Sequence, residues 1–209
     1  MKKFLMYLCM AVALSMTACT DDSVEAPKEG VRNGQEYVDL GLSVVWAKTN
    51  IGYSRMDVCG DYYNWGGTST QPTYDMAHCH TLDLQLTNIT GNSQYDVVTK
   101  TLENGWRLPT VVEFNELIRC CRWTWTTEDG VNGYRVTGPN GNSIFFPCGG
   151  RVSFTTLEYF NELGCYWTGS CDRSIPETAY MVIFSENDVA NKRSMSRVLG
   201  ANVRGVFER

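Results

Sequence analysis

The two histidines of the chain, His78 and His80, flank Cys79 and form its densest cluster of metal-binding side chains. Imidazole nitrogen and thiolate sulfur bind zinc or copper, and Asp75 or Cys59 would have to help complete such a site. Structural zinc usually needs four ligands at recurring spacings, and the sequence supplies one cluster only. We therefore expect no metal and no cofactor, and this cluster stays the alternative metal site.

Catalytic groups of other kinds are sparse. A histidine-based triad would have to be built in the same segment, because the chain has no other histidine. Ser170 and Ser174 have no evident base partner, and the chain contains neither a G-x-S-x-G motif nor a phosphate-binding loop. Its carboxylates are scattered, so no glycosidase pair can be nominated. The sequence therefore predicts a protein that is not an enzyme.

A binding surface is the remaining candidate, because aromatic, amide and cationic side chains are frequent late in the chain. Such side chains give broad contact area and adaptable hydrogen bonding. The alternative is that Trp167 and Tyr180 belong to the core and that 187–197 is a solvated connection, since tryptophan in a strand is usually packed. The predicted ligand-binding residues are Trp167, Arg173, Tyr180, Asn187, Asn191, Lys192, Arg193, Ser194 and Arg197.

The most strongly specified local structure begins at Gly105 and runs through Leu117. Thr110 and Glu113 fit a capping box, in which the side chain of each accepts the backbone N–H of the other. Apolar residues at helical spacing then predict a core helix. These residues are Val111, Phe114, Leu117, Ile118 and Cys121. We do not place Trp106, Arg107 or Glu113 in a functional site, because their pattern is structural.

Other elements follow from periodicity and turn residues. An earlier helix is predicted over 93–103, and a long polar loop over 68–92. Glycine, proline and asparagine at 138–142 predict a hairpin turn. Two helices followed by many short strands indicate an α+β fold. The predicted strands are 37–40, 43–47, 61–67 (running into a turn), 134–137, 143–146, 165–168, 179–184 and 201–207.

Residues 1–18 have the pattern of a bacterial lipoprotein signal peptide. Lys2 and Lys3 precede a short apolar stretch, and the small residue Ala18 precedes Cys19 as in a lipobox. Cleavage there would make Cys19 the lipidated N-terminus, with 19–33 as lipid anchor and flexible tether. An ordinary signal peptide is the alternative. The following acidic residues resemble the tag that exports some Gram-negative lipoproteins to the outer face of the outer membrane, so we expect a surface-exposed lipoprotein there.

The number of cysteines and the net charge limit the classes of molecule that the protein can bind or pair with. Of nine cysteines, processing would remove Cys9 and lipidate Cys19. Seven would remain, so at least one thiol is free or paired to another chain. Several are expected to pack as small apolar groups, and Cys165 and Cys171 could bridge a short loop, although spacing leaves the connectivity open. The net charge of −5 argues against nucleic acid, which needs a concentrated basic face.

An ordered set of short motifs covers residues 34–209. They are Gly41–Ala47, Gly60–Gly66, Gly105–Thr110 with Glu113-Phe114, Gly133–Phe145, Tyr166–Ser170 and Val203-Arg204. The set resembles the bacterial major paralogous domain family (FISUMP). This resemblance implies a C-type lectin-like domain, with two helices packed on small antiparallel sheets and long irregular loops. It also implies that early and C-terminal strands pair, and that the late loops form a binding face.

The same resemblance raises two chemistries that the residues do not support. Formylglycine-generating enzymes share this fold and use a late cysteine pair, but no cysteine follows Cys171. Calcium-dependent lectins use two characteristic triplets, which 175–177 and 186–188 match only loosely. We expect a surface-anchored, non-enzymatic module that binds a glycan or a protein. The alternatives are a structural or adhesive component of a cell-surface assembly, a variable receptor of a diversity-generating retroelement, and a metal-dependent enzyme.

Overall fold

The computed structural model describes residues 28–209, so the predicted signal peptide and the lipidation at Cys19 lie outside the described residues. Within 28–209 there are two α-helices, α1 (Val97–Leu102) and α2 (Val111–Cys120), and one 3-10 turn, Met76–His78. No helix in this range is long and apolar enough to cross a membrane.

The strands form four small antiparallel sheets, with orders β1-β2-β3-β12, β11-β10-β9, β4-β5-β6 and β7-β8. The prediction of an α+β fold with two helices and small antiparallel sheets is confirmed for these residues. The strands are β1 Glu29–Arg32, β2 Gln35–Val38, β3 Val44–Asn50, β4 Arg122–Glu128, β5 Val131–Thr137, β6 Ser143–Pro147, β7 Arg151–Ser153, β8 Thr156–Glu158, β9 Gly164–Cys171, β10 Thr178–Ser185, β11 Asp188–Ser196 and β12 Arg204–Glu208.

The first sheet joins the two ends of the described chain. Strand β12 pairs with β3, placing Val206 opposite Trp46. Strand β1 pairs with β2 through the turn Asn33-Gly34, in which both residues have positive φ. An Asn-Gly pair favours this turn because both residues tolerate that conformation. The predicted tether over 19–33 is therefore wrong for residues 29–32, where hairpin formation prevails over polar composition.

Helix α2 begins at the predicted capping box. Thr110 N donates to Glu113 Oε2 at 2.7 Å, and Glu113 N donates to Thr110 Oγ1 at 3.3 Å. The Arg107 guanidinium donates two hydrogen bonds to the same carboxylate, at 3.0 and 2.6 Å. Burial raises the pKa of the Glu113 carboxyl, but the hydrogen bonds from Arg107 and Thr110 outweigh burial and hold it below its usual value. Phe114 and Leu117 are fully buried, as predicted.

Helix α1 begins at Val97, four residues later than the predicted start at 93. Its N-cap is Asp96, whose carboxylate accepts the backbone N–H groups of Val98 and Thr99 at 2.9 and 3.1 Å. These hydrogen bonds from Asp96 to backbone groups two and three residues later determine where α1 starts more strongly than the apolar spacing does. After the helix, three successive residues over 103–105 have positive φ, which ends it abruptly.

Strands β9 and β10 separate two groups of buried side chains. Trp167 and Met181 face one group, and Tyr166 and Val182 face the other. Successive residues of a strand point to opposite faces, so one sheet covers two cores. The long segment 68–92 covers the first of these cores and contains no strand, as its composition predicts.

Several strands differ from the predictions. Residues 188–196, for which a solvated connection is the alternative to a binding loop, instead form β11 along the edge of β10. The hairpin β7-β8 was not predicted. The predicted strand at 61–67 reduces to a single bridge between Tyr63 and Ala201. These differences share one cause, because strand formation depends on an available neighbour as well as on local pattern.

The described cysteines carry free thiols. Cys165 and Cys171 both lie in β9. Six residues of extended chain span roughly 20 Å, far beyond the reach of a disulfide, so the bridge that the sequence left open between them does not form. Burial raises the pKa of Cys59, Cys148 and Cys165 to about 12. These thiols therefore stay protonated and pack as small apolar groups.

Candidate functional site

A cleft of about 600 Å³ opens between the start of α2 and the β9–β10 connection. It brings together Arg173 and Tyr180, two of the predicted ligand-binding residues. We call it the late-loop groove. Its polar lining side chains are Thr87, Asn88, Thr110, Ser170, Asp172, Arg173, Ser174 and Tyr180, and Val111, Val112 and Cys171 also line it. A smaller hollow of about 240 Å³ adjoins it and shares Thr87, Asp172 and Arg173.

Backbone pairing holds the walls of the groove in place. The long loop runs beside the end of β9, where Ile89 N donates to Gly169 O at 2.8 Å and Cys171 N donates to Thr87 O at 3.3 Å. The first residue of α2 joins them, because Val111 N donates to Ser170 Oγ at 3.2 Å. Three segments that are distant in sequence thus meet at Ser170.

Asp172 stabilises the β9–β10 loop that carries Arg173, the cation of the groove. Its carboxylate accepts from Ser174 N at 2.9 Å and from Ser174 Oγ at 2.6 Å. These hydrogen bonds lower the pKa of Asp172, so it is ionised at neutral pH. Arg173, in contrast, is exposed and has no hydrogen bond or ion pair with any residue over 28–209. Its guanidinium is available to a ligand.

Tyr180 forms the aromatic part of the groove. The Lys192 Nζ lies 4.5 Å from the centre of its ring, a cation–π contact that covers one ring face. Burial and then the neighbouring Asp172 carboxylate raise the pKa of the Tyr180 phenol. The phenol is therefore protonated at neutral pH, and its hydroxyl hydrogen-bonds to the Asp172 carboxylate.

Two predicted ligand-binding residues are buried instead. Trp167 is 1% exposed and donates from Nε1 to Tyr63 O at 2.9 Å. Arg197 is also 1% exposed, and its guanidinium lies 4.5 Å from the Trp65 ring. Its hydrogen bonds run to the carbonyls of Thr81, Leu84, Leu86 and Thr178. The prediction that these two residues bind ligand is therefore wrong: Trp167 is packed in the core, and Arg197, although it lines the small hollow, uses its guanidinium to tie the long loop to β10.

The remaining predicted residues lie away from the groove. Asn191 and Arg193 stand opposite Ile183 and Met181 in β10, so their side chains leave the sheet on the face opposite to that of Tyr180. Both lie near Asp188, to which Asn191 donates a hydrogen bond and from which Arg193 is 4.0 Å away. Asn187 is exposed in the β10–β11 turn. The Ser194 hydroxyl forms a hydrogen bond with the Thr178 hydroxyl, with the two oxygens 2.7 Å apart.

The alternative metal cluster does not converge. His78 Nδ1 lies 2.7 Å from Asp75 Oδ1. Cys79 is buried, with its sulfur 3.8 Å from Thr81 Oγ1. No three His, Cys, Asp or Glu side chains in the part of the chain that the structure describes are placed to hold a metal ion. The geometry therefore gives no support to the metal-dependent alternative.

A second cleft, of about 670 Å³, was not predicted and lies beside Trp106. Arg32, the last residue of β1, lines this cleft because β1 and β2 form a hairpin. The Asn33-Gly34 pair is the sequence signal that predicts this hairpin. Its cations are already engaged, since Arg107 pairs with Glu113 and Arg32 donates to Asn104 O at 2.9 Å. The late-loop groove, with an unpaired guanidinium, is the better candidate for ligand binding.

Sequence reasoning also missed groove residues outside the late loops. Thr87 and Asn88 lie in the polar segment 68–92, which the sequence predicts to be a long loop and in which it singles out only the metal cluster. Ser170 and Ser174 were weighed only as nucleophiles, although their hydroxyls are engaged in loop structure. Only their pairing with distant segments brings these four side chains to one site.

Comparison of the chain with models of protein families, with curated proteins and with solved structures finds no match. The described residues define a broad class: an α+β domain with a groove of mixed polar and apolar lining beside its late loops.

Proposed function

We propose that the protein is a surface-anchored, non-enzymatic binding module with a C-type lectin-like fold, which recognises a glycan or a protein through the late-loop groove. The observation that carries this proposal is Arg173, an exposed cation without a protein partner over 28–209, in a cleft whose walls combine hydroxyl and amide side chains with valines. The pairing of β3 with β12 and the two helices support the lectin-like fold. The lipobox pattern at Cys19 supports the anchor.

Binding rather than catalysis accords with the state of the groove hydroxyls. Ser170 Oγ accepts a backbone N–H of α2, and Ser174 Oγ donates to Asp172. A nucleophilic serine needs a base that takes up its proton, whereas Asp172 is ionised and bonded within its own loop. The groove therefore offers fixed donors and acceptors that suit recognition.

The first test is ligand screening with residues 28–209 on glycan arrays and in pull-downs. The fragment starts at residue 28 because a start at residue 34 would remove β1 from the first sheet, and Arg32 with it. Arg173→Ala and Tyr180→Ala are each expected to weaken binding about tenfold or more, because both side chains face the groove. Arg193→Ala removes the same charge from the opposite face of the sheet, and we expect it to bind like the parent chain. Equal losses in all three variants would refute the assignment to this groove.

A structural or adhesive assembly is the second candidate, favoured by the exposed free thiol of Cys120 at the end of α2. An exposed thiol in an exported protein can form an intermolecular disulfide. Non-reducing gels of intact cells distinguish this candidate, since a disulfide-linked species would disappear in Cys120→Ser. A single monomeric band would exclude a disulfide-linked assembly and leave the binding module as the remaining candidate.

A further inference from the structure

We infer that the ligand of the late-loop groove is an acidic sugar, whose carboxylate pairs with Arg173 while Lys192 lies alongside. This inference rests on the proposed function and adds the charge and chemical class of the ligand. It follows from three features of the groove: its unpaired cations, its covered aromatic ring and its hydroxyl-rich walls.

The charges at the groove leave a positive surplus. Arg173 has no carboxylate partner over residues 28–209, and Lys192 contacts the Tyr180 ring rather than an acid. Asp172 is the acidic side chain beside them, and its carboxylate is bonded to Ser174. Arg173 therefore lines the groove without a partner, Lys192 lies behind it on the Tyr180 ring, and the carboxylate of the groove lining, Asp172, is already hydrogen-bonded. A guanidinium in a cleft recognises a carboxylate through two parallel hydrogen bonds.

The aromatic ring argues against a neutral sugar. Neutral sugars commonly stack on an open aromatic face, but the ammonium of Lys192 occupies a face of Tyr180 at 4.5 Å. A neutral sugar that stacked on this face would have to displace the cation and forfeit its attraction to the ring. An acidic sugar can instead interact with the ammonium where it lies.

The walls favour a sugar over an acidic peptide. Thr87, Asn88, Ser170 and Ser174 offer hydroxyl and amide groups, which match the hydroxyls of a carbohydrate. Protein interfaces depend on a buried apolar or aromatic anchor, whereas Val112, which also lines the groove, is 71% exposed and not enclosed by it. A cleft of about 600 Å³ with an adjoining hollow lies in the size range of small-ligand sites.

The test compares acidic oligosaccharides with their methyl esters, which keep the shape of the sugar and remove its charge. Titration calorimetry with the intact chain uses uronic-acid and sialic-acid oligosaccharides as probes. We expect one acid to bind about 10–100-fold more tightly than its ester, and higher salt to weaken this preference. Arg173→Gln should abolish the preference, Lys192→Gln should reduce it, and the matched control Arg193→Gln should retain it.

The outcomes separate the inference from the proposed function. Equal affinity for acid and ester, lost in Tyr180→Ala, would overturn the acidic class and leave a sugar-binding groove. Binding of an acidic peptide without any sugar would also overturn the inference, while the module would still be a binding protein. If neither sugars nor proteins bind the parent chain, the proposed function itself fails. A preference for acid that persists in Arg173→Gln would place the carboxylate elsewhere.

Discussion

Replacing Arg204 by alanine is expected to lower the free energy of unfolding by about 3–5 kcal/mol. The side chain is 1% exposed, and its guanidinium lies 4.5 Å from the Phe146 ring. Alanine would leave its acceptors without a donor and open a cavity beside that ring. The acceptors are Asn50 Oδ1 at 2.6 Å, Ala47 O at 3.1 Å, Lys48 O at 2.7 Å and Phe145 O at 2.9 Å. Urea unfolding followed by tryptophan fluorescence measures the loss.

The size of this effect comes from the position of Arg204 between two sheets. It belongs to β12 and bonds to β3 on one side and to Phe145 of β6 on the other. Burial lowers its pKa to about 10, so the guanidinium remains charged at neutral pH and every lost hydrogen bond is charge-assisted.

Two further variants make the Arg204 prediction specific. Arg204→Lys keeps the charge but loses the planar fork, and we expect it to be intermediate. Arg193→Ala removes an exposed arginine and should change stability by no more than about 0.5 kcal/mol. A loss in Arg204→Ala as small as that in Arg193→Ala would mean that the buried network does not hold the two sheets together.

Replacing Asp96 by alanine is the second large effect, and we expect a loss of about 3–4 kcal/mol in the same unfolding experiment. Its carboxylate is fully buried and joins the turn before α1, the start of α1 and the segment that leads into α2. Alanine would leave the donors of all three segments unsatisfied. These five donors are Gly91 N at 2.9 Å, Val98 N at 2.9 Å, Thr99 N at 3.1 Å, Thr99 Oγ1 at 2.8 Å and Leu108 N at 2.8 Å.

A second capping aspartate supplies the control. Asp75 caps the 3-10 turn and accepts His78 N at 3.1 Å, but its side chain is 25% exposed. Water can replace it, so Asp75→Ala is expected to cost about 1 kcal/mol or less. Asp96→Asn should be intermediate, because its amide nitrogen would face backbone donors. Similar losses in Asp96→Ala and Asp75→Ala would show that the contacts beyond the cap contribute nothing.

The sequence by itself determined the features that depend on residues a few positions apart. The capping box of Thr110 and Glu113 lies where it was predicted, and the turn at 138–142 joins β5 and β6. The apolar spacing of α2 correctly indicated that Phe114 and Leu117 are buried. The number of helices and the α+β class followed from the same short-range signals.

Strands with polar composition could not be predicted, because their stability comes from a neighbour. Strand β11 contains mostly polar residues, yet it pairs with β10 over most of its length. It is an edge strand whose side chains are largely exposed, so it needs no alternating apolar pattern. The start of α1 was misplaced for a related reason, since Asp96 acquires its full set of donors only when Leu108 and Gly91 are folded beside it.

At the candidate site, the sequence determined which kinds of side chain occur late in the chain, and only the tertiary structure decided which of them reach solvent together. Trp167 and Arg197 look like ligand-binding residues until the segment 68–92 folds over them and supplies the carbonyls that Arg197 bonds. Arg173 and Tyr180 meet in one groove because the same segment ends beside β9, at Thr87 and Asn88. Burial of a late side chain therefore depends on an element far from it in sequence, and local pattern does not record that contact.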